Sequence, residues 1–155
     1  MPAGIIIRVA TRNEKRELED LEWWPFLVWP EYRDAPLAHR DAIELPLQHI
    51  ETQRTYVAER DGQILGFSVV LIRPDGQAGV HGLFGEPAAW KHGIGRRLIG
   101  EAVRLAARDG AEWLYVIANP NASGFYDACG FRLTGNEQTR FGPAHVMRKR
   151  APELR

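Results

Sequence analysis

Residues 83 to 98 run Leu83-Phe84-Gly85-Glu86-Pro87-Ala88-Ala89-Trp90-Lys91-His92-Gly93-Ile94-Gly95-Arg96-Arg97-Leu98. A strand ends near Gly85, a proline-containing loop follows, and a helix opens at Gly93. Gly93 and Gly95 leave the first-turn N–H groups uncovered by side chains, and such groups have no partner within their own helix. Lys91, His92, Arg96 and Arg97 surround the same helix start. Positive charge there opposes the helix dipole, at a cost of a few tenths of a kcal/mol or more per group. An anion would satisfy the donors and offset the repulsion together. The residues therefore point to a phosphate or diphosphate site; the plainer alternative is a solvated turn with incidental arginines. A dinucleotide fingerprint is excluded because Leu98 stands where a third glycine belongs, and no Gly-Lys-Ser/Thr triplet supports a P-loop.

Outward from this segment the chain alternates strands and helices. Ile94, Leu98, Ala102, Leu105 and Ala106 form one helical stripe, widened by Ile99 and Val103 and closed by the cap glycine Gly110. Upstream, Ile5 to Ala10 is β-rich, and Thr11 with Glu14 has capping-box spacing for a helix through Leu18 and Leu21. A second helix is expected over Ala38 to Glu44, broken or bent by Pro46. Thr55–Glu59, Ile64–Ile72 and Val80–Phe84 read as strands joined by turns at Asp61-Gly62 and Pro74-Asp75-Gly76. Leu114–Ile117 is a strand, Asn121–Cys129 a short helix, and Phe131–Leu133 and Val146–Arg148 the final strands. The fold class is α/β (α+β), with a mixed, mostly antiparallel sheet.

The 155 residues fit one domain, 1–155. Twenty Lys+Arg balance twenty Asp+Glu, which removes the strongly basic signature of a nucleic-acid binder. The single cysteine, Cys129, excludes an intrachain disulfide and a cysteine-based zinc site. No metal is expected. No segment has the length of a membrane span, and the Ile5-Ile6-Ile7 run stops at Arg8, so a cytoplasmic protein is expected.

The segment around Gly93 resembles the acyl-CoA motif of the GNAT superfamily of N-acetyltransferases, Arg/Gln-x-x-Gly-x-Gly/Ala, here Trp90-Lys91-His92-Gly93-Ile94-Gly95. Leu83 to Pro87 resembles the family's Leu-x-Val-x-Pro strand end. Asn119, followed by Phe125-Tyr126-Asp127-Ala128-Cys129-Gly130-Phe131, is similar to its Asn and Phe-Tyr-x-x-x-Gly-Phe elements. Met147-Arg148-Lys149 resembles the last strand of many members. The order of elements is similar to the family's over nearly the whole chain.

The resemblance implies acetyl-CoA as co-substrate, with its diphosphate on the amides of Lys91, His92, Gly93, Ile94, Gly95 and Arg96, and Arg97 beside them. Trp90 departs from the usual Arg or Gln, and Gly85 from the usual Val. It implies that two splayed parallel strands hold the pantetheine arm along Leu83, Phe84, Gly85 and Tyr115 to Asn119, as in strand addition. The Gly85 amide would face the thioester carbonyl and stabilise its oxyanion. Asn119 would bind near the pantetheine; read alone, it is a strand-ending Asn before Pro120. Tyr126 matches the residue that protonates the leaving thiolate. Read alone, it is a core aromatic, a part assigned rather to Phe125. Cys129 is read as a small core hydrophobe.

The acceptor amine must lose a proton. His81 is the displaced candidate base, since Gly79 stands where some members carry a carboxylate on that strand; the alternative is a pocket-lining or satisfied core histidine. Glu86, Glu44 and a water chain are the remaining routes. Five aromatics fall within residues 23–32. The resemblance places this stretch at the acceptor, with Trp24, Trp29, Glu31 and Tyr32 as substrate-binding candidates and Asp34 as a second carboxylate. Trp faces attract cations. Phe141, Pro143 and His145 either close the pocket or join a homodimer interface. The implied reaction is direct transfer from acetyl-CoA to a small-molecule primary amine in a ternary complex. The alternative is a non-catalytic acyl-CoA-binding protein on the same fold.

Overall fold

The structure, a computed structural model, describes residues 4–22, 45–85, 93–139 and 142–151. Its elements are β1 (Ile6–Val9), a 3-10 turn (Arg12–Glu14), α1 (Lys15–Leu21), α2 (Leu47–Glu51), β2 (Thr55–Arg60), β3 (Gln63–Ile72), β4 (Ala78–Gly85), α3 (Ile94–Arg108), β5 (Trp113–Ala118), a 3-10 turn (Pro120–Ala122), α4 (Ser123–Ala128), β6 (Arg132–Thr139) and β7 (Gly142–Arg150). Seven strands form a sheet in the order β1-β2-β3-β4-β5-β7-β6. The β1/β2, β2/β3, β5/β7 and β6/β7 pairs are antiparallel, and β4/β5 is parallel. This is the mixed, mostly antiparallel sheet expected from the sequence. The chain divides into two compact units, Met1–Val69 with Gly82–Leu98, and Val70–His81 with Ile99–Arg155.

In the first unit, β2 and β3 meet at Asp61 and Gly62, with φ of 54° and 80°. Two positive φ values give a turn whose twist matches the strands it joins, and they explain the Asp-Gly pair. Leu18, Val57 and Phe67 are completely buried. Each such side chain contributes about 1.5–3 kcal/mol by leaving water. Ile94 and Leu98, on the first turns of α3, pack with Ala58 and Leu65, and Ile5, Ile7 and Leu83 close over them. Glu14 accepts the Thr11 N–H at 2.8 Å, as the capping box requires. Its carboxylate also takes two hydrogen bonds from Arg8, at 3.0 and 2.7 Å. Arg8 reaches Glu59 on β2 as well, at 3.3 Å, so one guanidinium ties β1, the helix entry and β2 together.

In the second unit, the remaining stripe residues Ile99, Ala102, Leu105 and Ala106 are buried, and Gly110 ends the helix at φ 79°. The Gln77 carboxamide oxygen accepts the N–H groups of Glu112 and Trp113, both at 2.9 Å, and so pins the start of β5 to the turn before β4. After α4, Gly130 takes φ 94°, and a Cβ there would stand 2.8 Å from Lys149 Nζ. Glycine is needed at this position twice over, because Lys149 donates to the Cys129 carbonyl at 2.6 Å. Cys129 itself is buried, as expected of a small core hydrophobe.

Three elements differ from their sequence reading. The helix expected over 38–44 lies outside the described residues; Leu47–Glu51 is helical, with Pro46 as its N-cap. β6 and β7 are longer than their apolar cores, at eight and nine residues. Within the Phe125-Tyr126 pair the burial is reversed: Tyr126 is buried and Phe125 only half-buried.

Candidate active site

The helix start at Gly93 has the conformation its sequence requires. Gly93 has φ +79°, in the left-handed region, and a Cβ there would meet nothing within 4 Å. Backbone conformation, not crowding, selects glycine. The Arg97 N–H bonds the Gly93 carbonyl at 3.1 Å, which marks the first helical turn. The N–H groups ahead of it have no acceptor on their own helix. Ile94 and Gly95 are buried and Arg96 and Arg97 exposed. No acidic residue occupies this first turn. The Arg97 guanidinium donates to the Ile5 carbonyl at 2.6 Å, which ties α3 to the residue before β1. Of the two exposed arginines, Arg97 is therefore held by backbone.

The parallel ladder between β4 and β5 is short. It pairs Ala78, Gly79 and Val80 with Leu114, Tyr115 and Val116. Both strands run on, β4 to Gly85 and β5 to Ala118. The antiparallel ladder from β5 to β7 continues through Ala118 and His145. His81 and Ile117 are the first residues past the parallel pairs, and both are exposed, Ile117 at 54%. The His81 imidazole leans back over Gly79, its Nε2 3.2 Å from where a Cβ on residue 79 would stand. Arg73 Cγ lies 3.6 Å from the same point, and the Arg73 guanidinium sits 3.9 Å from the centre of the Tyr115 ring. Leu83, whose strand edge is expected along the cofactor, packs its half-buried side chain against the core of Ile94 and Leu98. For Phe84 and Gly85 the backbone belongs to β4.

Asn119 ends β5, and its carbonyl accepts the Ala122 N–H at 2.8 Å, which starts the turn into α4. Tyr126 on α4 is 7% exposed. Its ring meets Phe125 and Phe131 edge-on, with centroids 5.2 and 5.5 Å away. Burial, helped by nearby Cys129, holds its phenol well above the usual tyrosine range, so the hydroxyl keeps its proton.

Lys91, His92, Trp24, Trp29, Glu31 and Tyr32 lie outside the described residues, as do Trp90, Glu86, Glu44, Asp34 and Phe141. Two groupings were not foreseen. Glu22, at the end of α1, is 7% exposed, and its Oε2 meets no hydrogen-bond donor among the described residues. Burial first, then the neighbouring Glu19 carboxylate, pushes its pKa up to about 8, against a smaller opposing effect of Lys15. The signal was available: Glu22 is four residues after buried Leu18 and so falls on the inward face of the helix. The second grouping is the arginine–aromatic surface formed by Arg73, Tyr115, Arg148 and Trp113.

The family model described as "Acetyltransferase (GNAT) family" matches residues 15–131. The chain belongs to the GNAT acetyltransferase family. Similar solved structures include nourseothricin acetyltransferase, at 29% identity and TM-score 0.59, over 63% of this chain and 65% of that one. This GNAT chain thus spans just under two thirds of that protein. The PaiA N-acetyltransferase from Thermoplasma acidophilum in complex with coenzyme A has TM-score 0.75 at 20% identity, over 95% and 99% of the two chains. An aminoglycoside 6'-N-acetyltransferase complexed with coenzyme A has TM-score 0.74 at 19% identity, over 97% and 99%. These two share the GNAT fold with it. A search of curated proteins gave no match. Among the described residues, no helix of the GNAT chain is long and apolar enough to cross a membrane, and no cluster of His, Cys, Asp and Glu could hold a metal.

Proposed function

We propose that this GNAT protein moves an acetyl group from acetyl-CoA to the primary amine of a small molecule, by direct transfer in a ternary complex. The observation that carries this is the start of α3: a left-handed Gly93, N–H groups without helical acceptors, and no carboxylate in the first turn. Such an end is suited to the diphosphate of CoA. Membership of an acetyltransferase family and the coenzyme A bound to two similar structures support the same assignment. Acetyl-CoA supplies an activated acetyl thioester, and the chain supplies the rest. The amides from Gly93 to Arg96 hold the diphosphate, and Asn119 and the β4 and β5 edges hold the arm. The Gly85 amide is assigned to the thioester carbonyl oxygen. His81 takes the proton that the amine must lose. Tyr126 keeps its proton at neutral pH and is suited to donate a hydrogen bond to the departing sulfur.

The test is thermal stability with acetyl-CoA, CoA and ATP. A ligand at about a hundred times its Kd adds about 2.7 kcal/mol. That corresponds to several degrees in Tm for a domain of this size. A shift with acetyl-CoA and CoA but not ATP, followed by acetylation of an amine, is the expected result. No shift at millimolar acetyl-CoA overturns the reading.

A further inference from the structure

The exposed side of β4, β5 and β7 near His81 carries an unbalanced set of arginines. Arg148 lies 3.8 Å over the Trp113 ring, and its Nη1 is 3.5 Å from the Tyr115 hydroxyl. Arg73 covers the Tyr115 ring itself. Arg132 on β6 stands directly opposite Arg148 on β7. Like charges facing each other across an antiparallel pair destabilise it. Arg73 pairs with Asp75 at 3.3 Å and Arg150 with Glu112 at 3.4 Å. Arg148 and Arg132 have no carboxylate partner among the described residues. Trp113 holds the flat side of the Arg148 guanidinium and Tyr115 that of Arg73. Arg73 already meets Asp75, so the N–H groups of Arg148 beyond Nη1 are the ones left for an oxyanion.

We propose that this surface binds an anionic oxygen group, a carboxylate or phosphate ester, carried by the acceptor amine, with Arg148 as the principal contact and Arg73 beside it. The inference rests on the acetyltransferase reading for the amine end alone. Geometry also sets the acceptor's length. Gly79, beneath the His81 imidazole, pairs with Tyr115, and Tyr115 pairs with Arg148. The backbones of Gly79 and Arg148 are therefore two strand spacings apart, roughly 10 Å, with the His81 ring over the first of them. An α-amino acid is too short for that span, and an ω-amino acid of about six carbons fits it.

The experiment compares 6-aminohexanoate, glycine and hexylamine as acceptors with acetyl-CoA. The wild-type protein is expected to favour 6-aminohexanoate over both, by about tenfold or more in kcat/KM, the size of one charge-assisted contact. Arg148→Gln should bring the 6-aminohexanoate to hexylamine ratio close to one while leaving hexylamine turnover in place. Arg132→Gln, on an exposed side chain outside the stacks, should lower the ratio a few-fold and guards against a folding defect in the first variant. Equal use of the two six-carbon amines by the wild type, or a ratio that survives Arg148→Gln, overturns the proposal. Binding of the same compounds is measured in parallel by calorimetry without acetyl-CoA. Should the protein fail to bind acetyl-CoA, the transferase reading fails. The anion site then stands if 6-aminohexanoate binds the wild type and not Arg148→Gln, and falls if it binds neither or both.

Discussion

The His81 imidazole occupies the space that a side chain on residue 79 would take, with Nε2 3.2 Å from the position of a Gly79 Cβ. A Cβ there requires its neighbour to move by a few tenths of an ångström, and the exposed imidazole can do so. Gly79 is buried, but its new Cβ meets a ring that can give way, so Gly79→Ala should change stability by no more than about 1 kcal/mol. It should still lower acetyl transfer severalfold by displacing His81. His81→Ala should lower kcat/KM about 100-fold, the usual share of a positioned base, with the acetyl-CoA stabilisation intact. Steady-state kinetics on both variants check this, and unchanged rates would remove His81 from the mechanism.

Tyr126→Phe keeps the ring between Phe125 and Phe131 and deletes only the hydroxyl. Cofactor-induced stabilisation should match the wild type, while kcat falls about 100-fold. Because the phenol is held above its usual range, the wild type should show no alkaline loss attributable to Tyr126 up to pH 10. A non-catalytic binding protein would show no turnover to lose.

Gly93→Ala places a Cβ on a backbone at φ +79°. The expected cost is about 1–2 kcal/mol, from conformation alone. At roughly 2–4 °C per kcal/mol, calorimetry should record a clear drop in Tm. The rise in Tm on adding acetyl-CoA should shrink as well, because the amides of the helix start are re-aimed. Full retention of that rise would detach the diphosphate from Gly93.

Stability should depend on pH with opposite signs at two carboxyls. Glu22 rises from 4.5 to about 8 on folding, so the folded chain holds more protons and loses stability as pH climbs through that window. Glu22→Gln should gain on the wild type progressively from pH 4.5 to 8, by a few kcal/mol at most, and hold that gain above it. Glu14 falls from 4.5 to about 2, chiefly through its hydrogen bonds from Arg8. Its contribution is present above pH 4.5 and lost as pH drops toward 2. Glu14→Gln should thus be destabilised at pH 7 and approach the wild type near pH 2. Melting curves from pH 2.5 to 9 test both, and parallel curves for Glu22→Gln and wild type would contradict the first.

Where hydrophobic period or turn chemistry sets structure, the sequence was readable. The stripe from Ile94 to Ala106 became α3, with Val103 half-buried at its margin. Asp61-Gly62 made the tight turn its residue types demand. β6 escaped because Thr134 to Thr139 carries no apolar alternation; its pairing with β7 is backbone-driven. α2 escaped because Pro46 signals a helix end and a helix entry equally well. At the candidate site, Gly93 was legible from composition and charge. Arg73, Tyr115 and Arg148 were not, because they lie far apart in the chain; strand register sets Tyr115 beside Arg148, and Arg73 reaches over the Tyr115 ring from the turn after β3. Glu22 carries the composition of any helical glutamate, and only its spacing from Leu18 marks it as turned inward.

Among the described residues β6 closes one side of the sheet, so its outer row of backbone groups faces no further described strand. Eight exposed or half-exposed residues in extended form would invite another molecule to add on. The register shift between Leu133 and Gly135 and the charges of Arg132 and Glu137 work against such growth. Smoothing that kink and neutralising those charges, as in a variant with Gly135→Val, Arg132→Thr and Glu137→Thr, would be expected to turn this edge into a nucleus for fibrillar assembly.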